Sequence, residues 1–336
     1  STLSSSSAAS DVYKRQALGR GLKSVEACLE RESTDYIKIE EAEVNGFWPI
    51  HGYRVTTLDG TAFFPRNLSE LPRASGLAWH REAFSSADIV VPPYYTFRTL
   101  GRHAAEINSA VTQDDKLKLG DRMLLEIYPP DGLAELIEGV WSVRKTFDQF
   151  HSQLVESSKA YCLGLYNIAI VGLLPCIEGI VRHLGLASGM DVGNDVSIRT
   201  LSVVFKRLQQ KEIDMMMEGY DWYPRNEISV SFLDRFHERV QMFESISSYL
   251  KSKLYLHTDS APDYLTLNRH GISHGFFQGY ATPANYLRLF NLLSALSFAA
   301  AMVEGKGSLK HPGPTPESET LTICLLKCAA LNHLIR

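Results

Sequence analysis

The chain has 336 residues, 45% hydrophobic and 21% charged, enough apolar material for a sizeable core and length for about two domains. Its 34 basic and 38 acidic residues leave a net charge of −4, so no global positive field draws it to nucleic acid or to an anionic membrane, and any RNA contact has to come from a local patch. The five cysteines, Cys28, Cys162, Cys176, Cys324 and Cys328, form neither a zinc-type spacing nor a paired framework, and a reducing cytoplasm is the compartment that fits such usage.

Residues 1–16 are set aside first. Ser-rich Ser1 to Ser10 followed by Asp11-Val12-Tyr13-Lys14-Arg15-Gln16 resembles a translated sequencing adapter, the kind of artefact carried by metagenomic reads, and the other reading is a disordered polar leader. The native protein is then expected to begin near Ala17. No apolar run of roughly 7–15 residues follows the basic pair, so the segment does not have the form of a signal peptide.

Residues 17–131 read as a small mixed α/β region, truncated at its start on the adapter reading. Tyr36-Ile37-Lys38-Ile39 alternates, and Tyr53 to Thr57 and Thr61 to Phe64 flank an Asp59-Gly60 turn, a hairpin signature. Prolines at 65, 72, 92 and 93 break up the rest, and Lys116 to Ile127 fits a helix or a strand equally well.

Character changes at Pro129-Pro130-Asp131-Gly132, and residues 132–309 read as an α-helical bundle. Leu133 to Ser158 is one expected helix, and Lys159 to Leu184, with a bend at Pro175, is a second. An amphipathic third covers Ser197 to Gln210. A capping-box-like start at Ser231 opens a fourth running to about Tyr255, with Phe232, Leu233, Phe236, Val240, Phe243, Ile246 and Leu250 at spacings of three and four. The segment from Pro262 to His274 follows, with Leu267 to His274 helical and Gly275 in the C′ role. The last core helix opens with Thr282 as N-cap and Pro283 at its first position. Leu163 to Leu184 and Leu289 to Val303 are apolar, but polar interruptions or short length make them buried helices rather than membrane spans. Residues 310–336 form a tail in which Leu321 to Leu334 suits a further amphipathic helix.

The stretch Leu267-Asn268-Arg269-His270-Gly271-Ile272-Ser273-His274-Gly275 concentrates groups suited to phosphodiester chemistry. Arg is a permanently charged planar fork for phosphate, and His can carry protons near neutrality. At about 100° per residue, His270 and His274 lie only about 40° apart on a helix, and Arg269 lies about 140° from His274 but reaches round on its long stem.

This stretch resembles the HEPN superfamily of helical ribonuclease and nucleotide-binding domains, whose motif is Arg, a few residues, then His. Asn-Arg-His followed by His-Gly is similar to a form found in proteins of the abortive-infection type. The resemblance spans roughly residues 133–309, but only the nonapeptide is specific. It implies a metal-independent endoribonuclease of a bacterial defence or toxin type, without a cofactor, acting on RNA through an Arg-x4-His site shared across a homodimer. The N-terminal region is then expected to meet a trigger ligand or an antitoxin. Arg269 would clamp the phosphate and His274 would move protons. Asn268 would orient a phosphate or a base edge, and His270 would orient His274 or complete the protonation pair. Glu178 is the candidate for the acidic residue that many members carry on an earlier helix. Phe276 stands where one variant of the family has Tyr, so nucleotidylation of that Tyr is not expected here.

Blander readings stand beside each of these. Glu178 lies four residues before Arg182 and suits an ordinary intrahelical ion pair. His270 and His274 at i, i+4 also fit a metal pair, but the adjacent Glu of the His-Glu-x-x-His arrangement is missing and no metal is expected. Arg199, Lys206, Arg207 and Lys211 suit a solvated face better than an RNA stripe, and Met215 to Met217 suits core filler. The alternative for the whole chain is a non-catalytic module that dimerises and binds nucleotide or protein.

Overall fold

The computed structural model describes residues 18–31, 35–46, 48–73, 76–193, 197–257, 267–305 and 311–335. It is mostly helical, with one small antiparallel sheet. The chain divides into two compact units, and neither is continuous in sequence: the first joins Ser1–Ala78 to Gln209–Gln241, and the second joins Trp79–Leu208 to Met242–Arg336. This division differs from the expected boundary at 131/132.

The first unit is built on β1 (Lys38–Val44), β2 (Ile50–Thr57) and β3 (Gly60–Pro65), paired antiparallel in that order. The expected hairpin is present. Thr57 pairs with Gly60, so the loop is Leu58-Asp59 and the glycine opens β3, one residue from the sequence reading. Period-two alternation sorts the side chains. Tyr53 on one face packs with Leu18 and with Val25 of helix α1 (Leu22–Arg31), while Ile50 and Phe63 belong to a core with Ile213, Met217, Tyr223, Leu233, Phe236 and Val240. The later segment also meets β3 edge to edge, where the Phe63 amide donates to the Trp222 carbonyl at 2.9 Å. The bundle expected over 132–309 is therefore interrupted, because residues 209–241 belong with the sheet. Period and propensity carry no signal that residues 209–241 return to a distant sheet.

That segment also breaks the long helix expected from Ser231 to Tyr255. Instead Ser229 caps a short helix, here α9 (Val230–Leu233), and a turn separates it from α10 (Glu238–Tyr249). The Gln241 side-chain amide donates to the Asp234 carbonyl at 2.7 Å, and the His237 imidazole Nδ1 accepts from the Val240 amide at 3.5 Å, satisfying backbone groups that a continuous helix would pair internally. Leu233, Phe236, Val240, Phe243 and Ile246 are all buried, so the apolar period runs through the break unchanged.

The second unit comprises most of α2 (Gly76–Ser86), α3 (Phe97–Ser109), α4 (Gln113–Ile127), α5 (Pro130–Leu136), α6 (His151–Cys162), α7 (Tyr166–Ala187), most of α8 (Ile198–Met216), the end of α10, α11 (Arg269–Ser273), α12 (Pro283–Glu304) and α13 (Pro316–Ile335). Lys116 to Ile127 is helical, and the tail forms α13, which packs on α5 and α6. The expected single helix over 133–158 is replaced by α5, a π-turn at Ile137–Trp141 closed by the Ser142 amide on the Ile137 carbonyl at 3.0 Å, and a separate α6. Gly164, in a left-handed turn, likewise separates α6 from α7, so the expected helix over 159–184 begins instead at Tyr166 with Pro175 inside it.

Helix α12 is the centre of this unit. Thr282 caps it and Pro283 occupies its first position, as the sequence indicates, and residues 284–301 are buried. Its polar side chains are paired: the Asn291 amide donates to the Val90 carbonyl and its oxygen accepts from the Tyr128 hydroxyl, each at 2.6 Å, and Arg288 meets Asp121 at 2.6 Å. This nearly uncharged helix is covered within its own chain. Helices α7 and α12 are each long and apolar enough to cross a membrane by length and composition, and 56% and 89% of their apolar windows are buried within the protein.

Candidate functional site

The motif stands on α11, a helix of five residues. Leu267 precedes it and Asn268 caps it, so it starts two residues later than expected. Asn268 is completely buried and its side chain is fully engaged: Oδ1 accepts from the Gly271 amide at 2.9 Å, while Nδ2 donates to the carbonyls of Lys253 at 3.2 Å and Leu256 at 2.7 Å. Those carbonyls lie at and just beyond a π-turn, Leu250–Leu254, that ends the preceding helical run. A contact from Asn268 to phosphate or a base edge is therefore excluded by its surroundings. Its role is to fasten α11 to the end of the helix before it.

The other end is fixed as expected. Gly275 has φ +72, the left-handed conformation that favours glycine, and closes α11 with its amide on the Ile272 carbonyl at 3.2 Å. Gly271 is small for a different reason. A Cβ there would lie 2.7 Å from the Phe277 ring, and the Phe277 amide bonds the Gly271 carbonyl at 3.1 Å, so the chain folds back across the helix at this point.

Between these anchors the functional groups face outward. His270 and His274 are exposed, with ring centres 4.3 Å apart, and the exposed Phe276 ring lies 6.3 and 6.0 Å from them. Arg269 is half-buried, and its Nε donates to Glu178 Oε1 at 2.8 Å. The same carboxylate oxygen accepts from the Tyr255 hydroxyl at 2.8 Å. Burial, then the nearby Glu178 charge and its hydrogen bond, push the Tyr255 phenol far up, so it stays protonated and donates to that carboxylate. Glu178 thus sits beside Arg269, in contact across the fold, as well as four residues from Arg182 along its own helix.

Four of the five candidate residues, Glu178, Arg269, His270 and His274, therefore share one region assembled from α7, α11 and the turn after α10, while Asn268 lies beneath it. Tyr255 was missed by sequence reasoning. It carries no motif, and its relation to Glu178 arises only through packing between distant segments. Arg199, Lys206 and Arg207 are exposed on α8, as a solvated face requires. Of the methionine run, Met217 is core and Met215 is exposed.

Chemically, the arrangement offers a guanidinium held at Nε by a carboxylate and two solvent-facing imidazoles in one chain. Among the described residues no group of three His, Cys, Asp or Glu converges as a metal cage. The chain matches no protein-family model, and no curated protein or solved structure is significantly similar to it.

Proposed function

We propose that this protein is a metal-independent endoribonuclease of the HEPN type, acting in the cytoplasm in a bacterial defence or toxin role. The observation that carries the reading is the grouping of half-buried Arg269 with the exposed His270 and His274, backed by Glu178. Glu178 engages Nε of the guanidinium, and the terminal nitrogens are the part proposed to meet a phosphate in bidentate fashion. One imidazole takes the proton of the ribose 2′-hydroxyl as it attacks phosphorus, and the other, as imidazolium, gives a proton to the departing 5′-oxygen. Arg269 neutralises charge building on the non-bridging oxygens. The products are a 2′,3′-cyclic phosphate and a 5′-hydroxyl.

The resemblance implies a site shared across a homodimer. With His270 beside His274, one chain holds both proton carriers. A homodimer through the motif face is still part of the proposal, as the cover for the exposed rings of Phe276 and the histidines. The first unit, with its sheet, is the proposed receiver of a trigger or antitoxin. The alternative is a non-catalytic module that binds nucleotide or protein, favoured by the Glu178–Arg269 pair, which already neutralises the cation.

The test is incubation of the purified protein with total RNA in EDTA, alongside the Arg269→Ala/His274→Ala double variant. Cleavage by the wild type alone, leaving cyclic-phosphate ends, supports the enzyme. RNA left intact by both proteins supports the module.

A further inference from the structure

The two histidines of α11 have a second chemistry available. Each is exposed, and the backbone carrying them is fixed at both ends by the buried Asn268 cap and the Gly275 turn. A divalent cation about 2.1 Å from an imidazole nitrogen lies about 3.2 Å from the ring centre, so two cis ligands at about 90° place the centres about 4.6 Å apart and tetrahedral ligands about 5.3 Å apart. The rings of His270 and His274 stand 4.3 Å apart, close to the cis value. Cis imidazole pairs of this kind suit the square-planar and tetragonal preferences of Cu(II) and Ni(II), and Cu(II) heads the affinity order for nitrogen sites.

We propose that His270 and His274 form a reversible site for a late first-row divalent cation, Cu(II) above all, and that its occupation switches the phosphodiester site off. With two protein ligands among the described residues the remaining positions fall to water, which makes the site exchangeable rather than structural. Coordination takes the imidazole lone pairs, so a metal-bound pair can neither accept the 2′ proton nor hold one for the leaving oxygen. The inhibitory half rests on the ribonuclease reading above, and the binding half does not.

The experiment titrates Cu(II) chloride into the full chain without RNA and follows it by electron paramagnetic resonance and calorimetry. One equivalent should bind with nitrogen hyperfine structure from two imidazoles. His270→Gln and His274→Gln should each weaken that binding at least about tenfold, with circular dichroism unchanged because both side chains are exposed. An equal response from the wild type and the His270→Gln/His274→Gln double variant overturns the site. In a parallel arm with RNA, equimolar Cu(II) should abolish cleavage and EDTA should restore it. Binding without any RNA cleavage in EDTA leaves the metal site standing and sinks the ribonuclease reading, whereas cleavage that persists with the site filled overturns the switch.

Discussion

At the scale of the residue, the most informative contrast is between Asn268 and its neighbours. Adjacent letters in one motif have opposite environments: Asn268 is sealed under the helix, Arg269 is half-buried against Glu178, and His270 is exposed. The sequence marked all three as chemical groups because residue type and spacing are visible in it. It did not mark Asn268 as a cap with two further acceptors, since the Lys253 and Leu256 carbonyls are backbone atoms and have no sequence signature. His274→Ala should lower RNA cleavage by about 10²–10⁴-fold, the usual contribution of a general acid or base, and His270→Ala should do the same if the two share the proton transfers. Arg269→Lys should impair cleavage strongly, because an ammonium cannot reproduce the fork on phosphate. Single-turnover rates on a short RNA, compared with thermal melts of each variant, check both; a fully active His274→Ala protein would sink the mechanism. Tyr255→Phe removes one donor from Glu178 but leaves Arg269 paired, so the rate should fall less than for Arg269→Lys.

At the scale of the element, caps were the most legible signals. Thr282 and Pro283 at the head of α12 and Gly275 at the end of α11 stand where their chemistry requires. Helices were overextended wherever the apolar period continued through a break, as at the turn between α9 and α10. Two predictions belong here. Asn268→Ala removes a cap and takes the side-chain donor from the Lys253 and Leu256 carbonyls, of which that of Lys253 keeps the Leu256 amide, so it should lower stability by about 1–3 kcal/mol, with hydrogen exchange accelerated over 267–275. Asn268→Asp, which keeps the cap acceptor, should restore only part. The second concerns His237, whose pKa burial and the nearby Arg239 charge push down to about 4. Unfolded histidine titrates near about 6.5, so as pH falls the unfolded chain takes up the proton first. This contribution is therefore fully present above about 6.5 and is lost down to about 4, for a total of the order of 3 kcal/mol. Chemical denaturation at pH 7 and pH 4.5 should show the loss, and His237→Asn should flatten it. An unchanged slope in that variant would assign the pH dependence elsewhere.

At the scale of the whole molecule, the helical character and the small sheet were legible in composition and period, but the division of the chain was not. Linear reading cuts a chain into consecutive pieces, whereas here two separated segments make each unit. The assembly part of the proposal is tested at this scale: sedimentation at micromolar concentration should show a dimer, and Phe276→Asp should shift it to monomer, since Phe276 is 67% exposed beside the histidines. A wild-type monomer that cleaves RNA would remove the dimer from the proposal. The discontinuous first unit also bears on how the gene can be cut. Ile213, Met217, Phe236 and Val240 are encoded far downstream of the strands that they cover. No single truncation point therefore separates the two units, and a fragment beginning after Ala78 would present that apolar set to solvent as a sticky patch. A rearranged gene that keeps both segments of the unit is the form in which the sheet and its cover travel together.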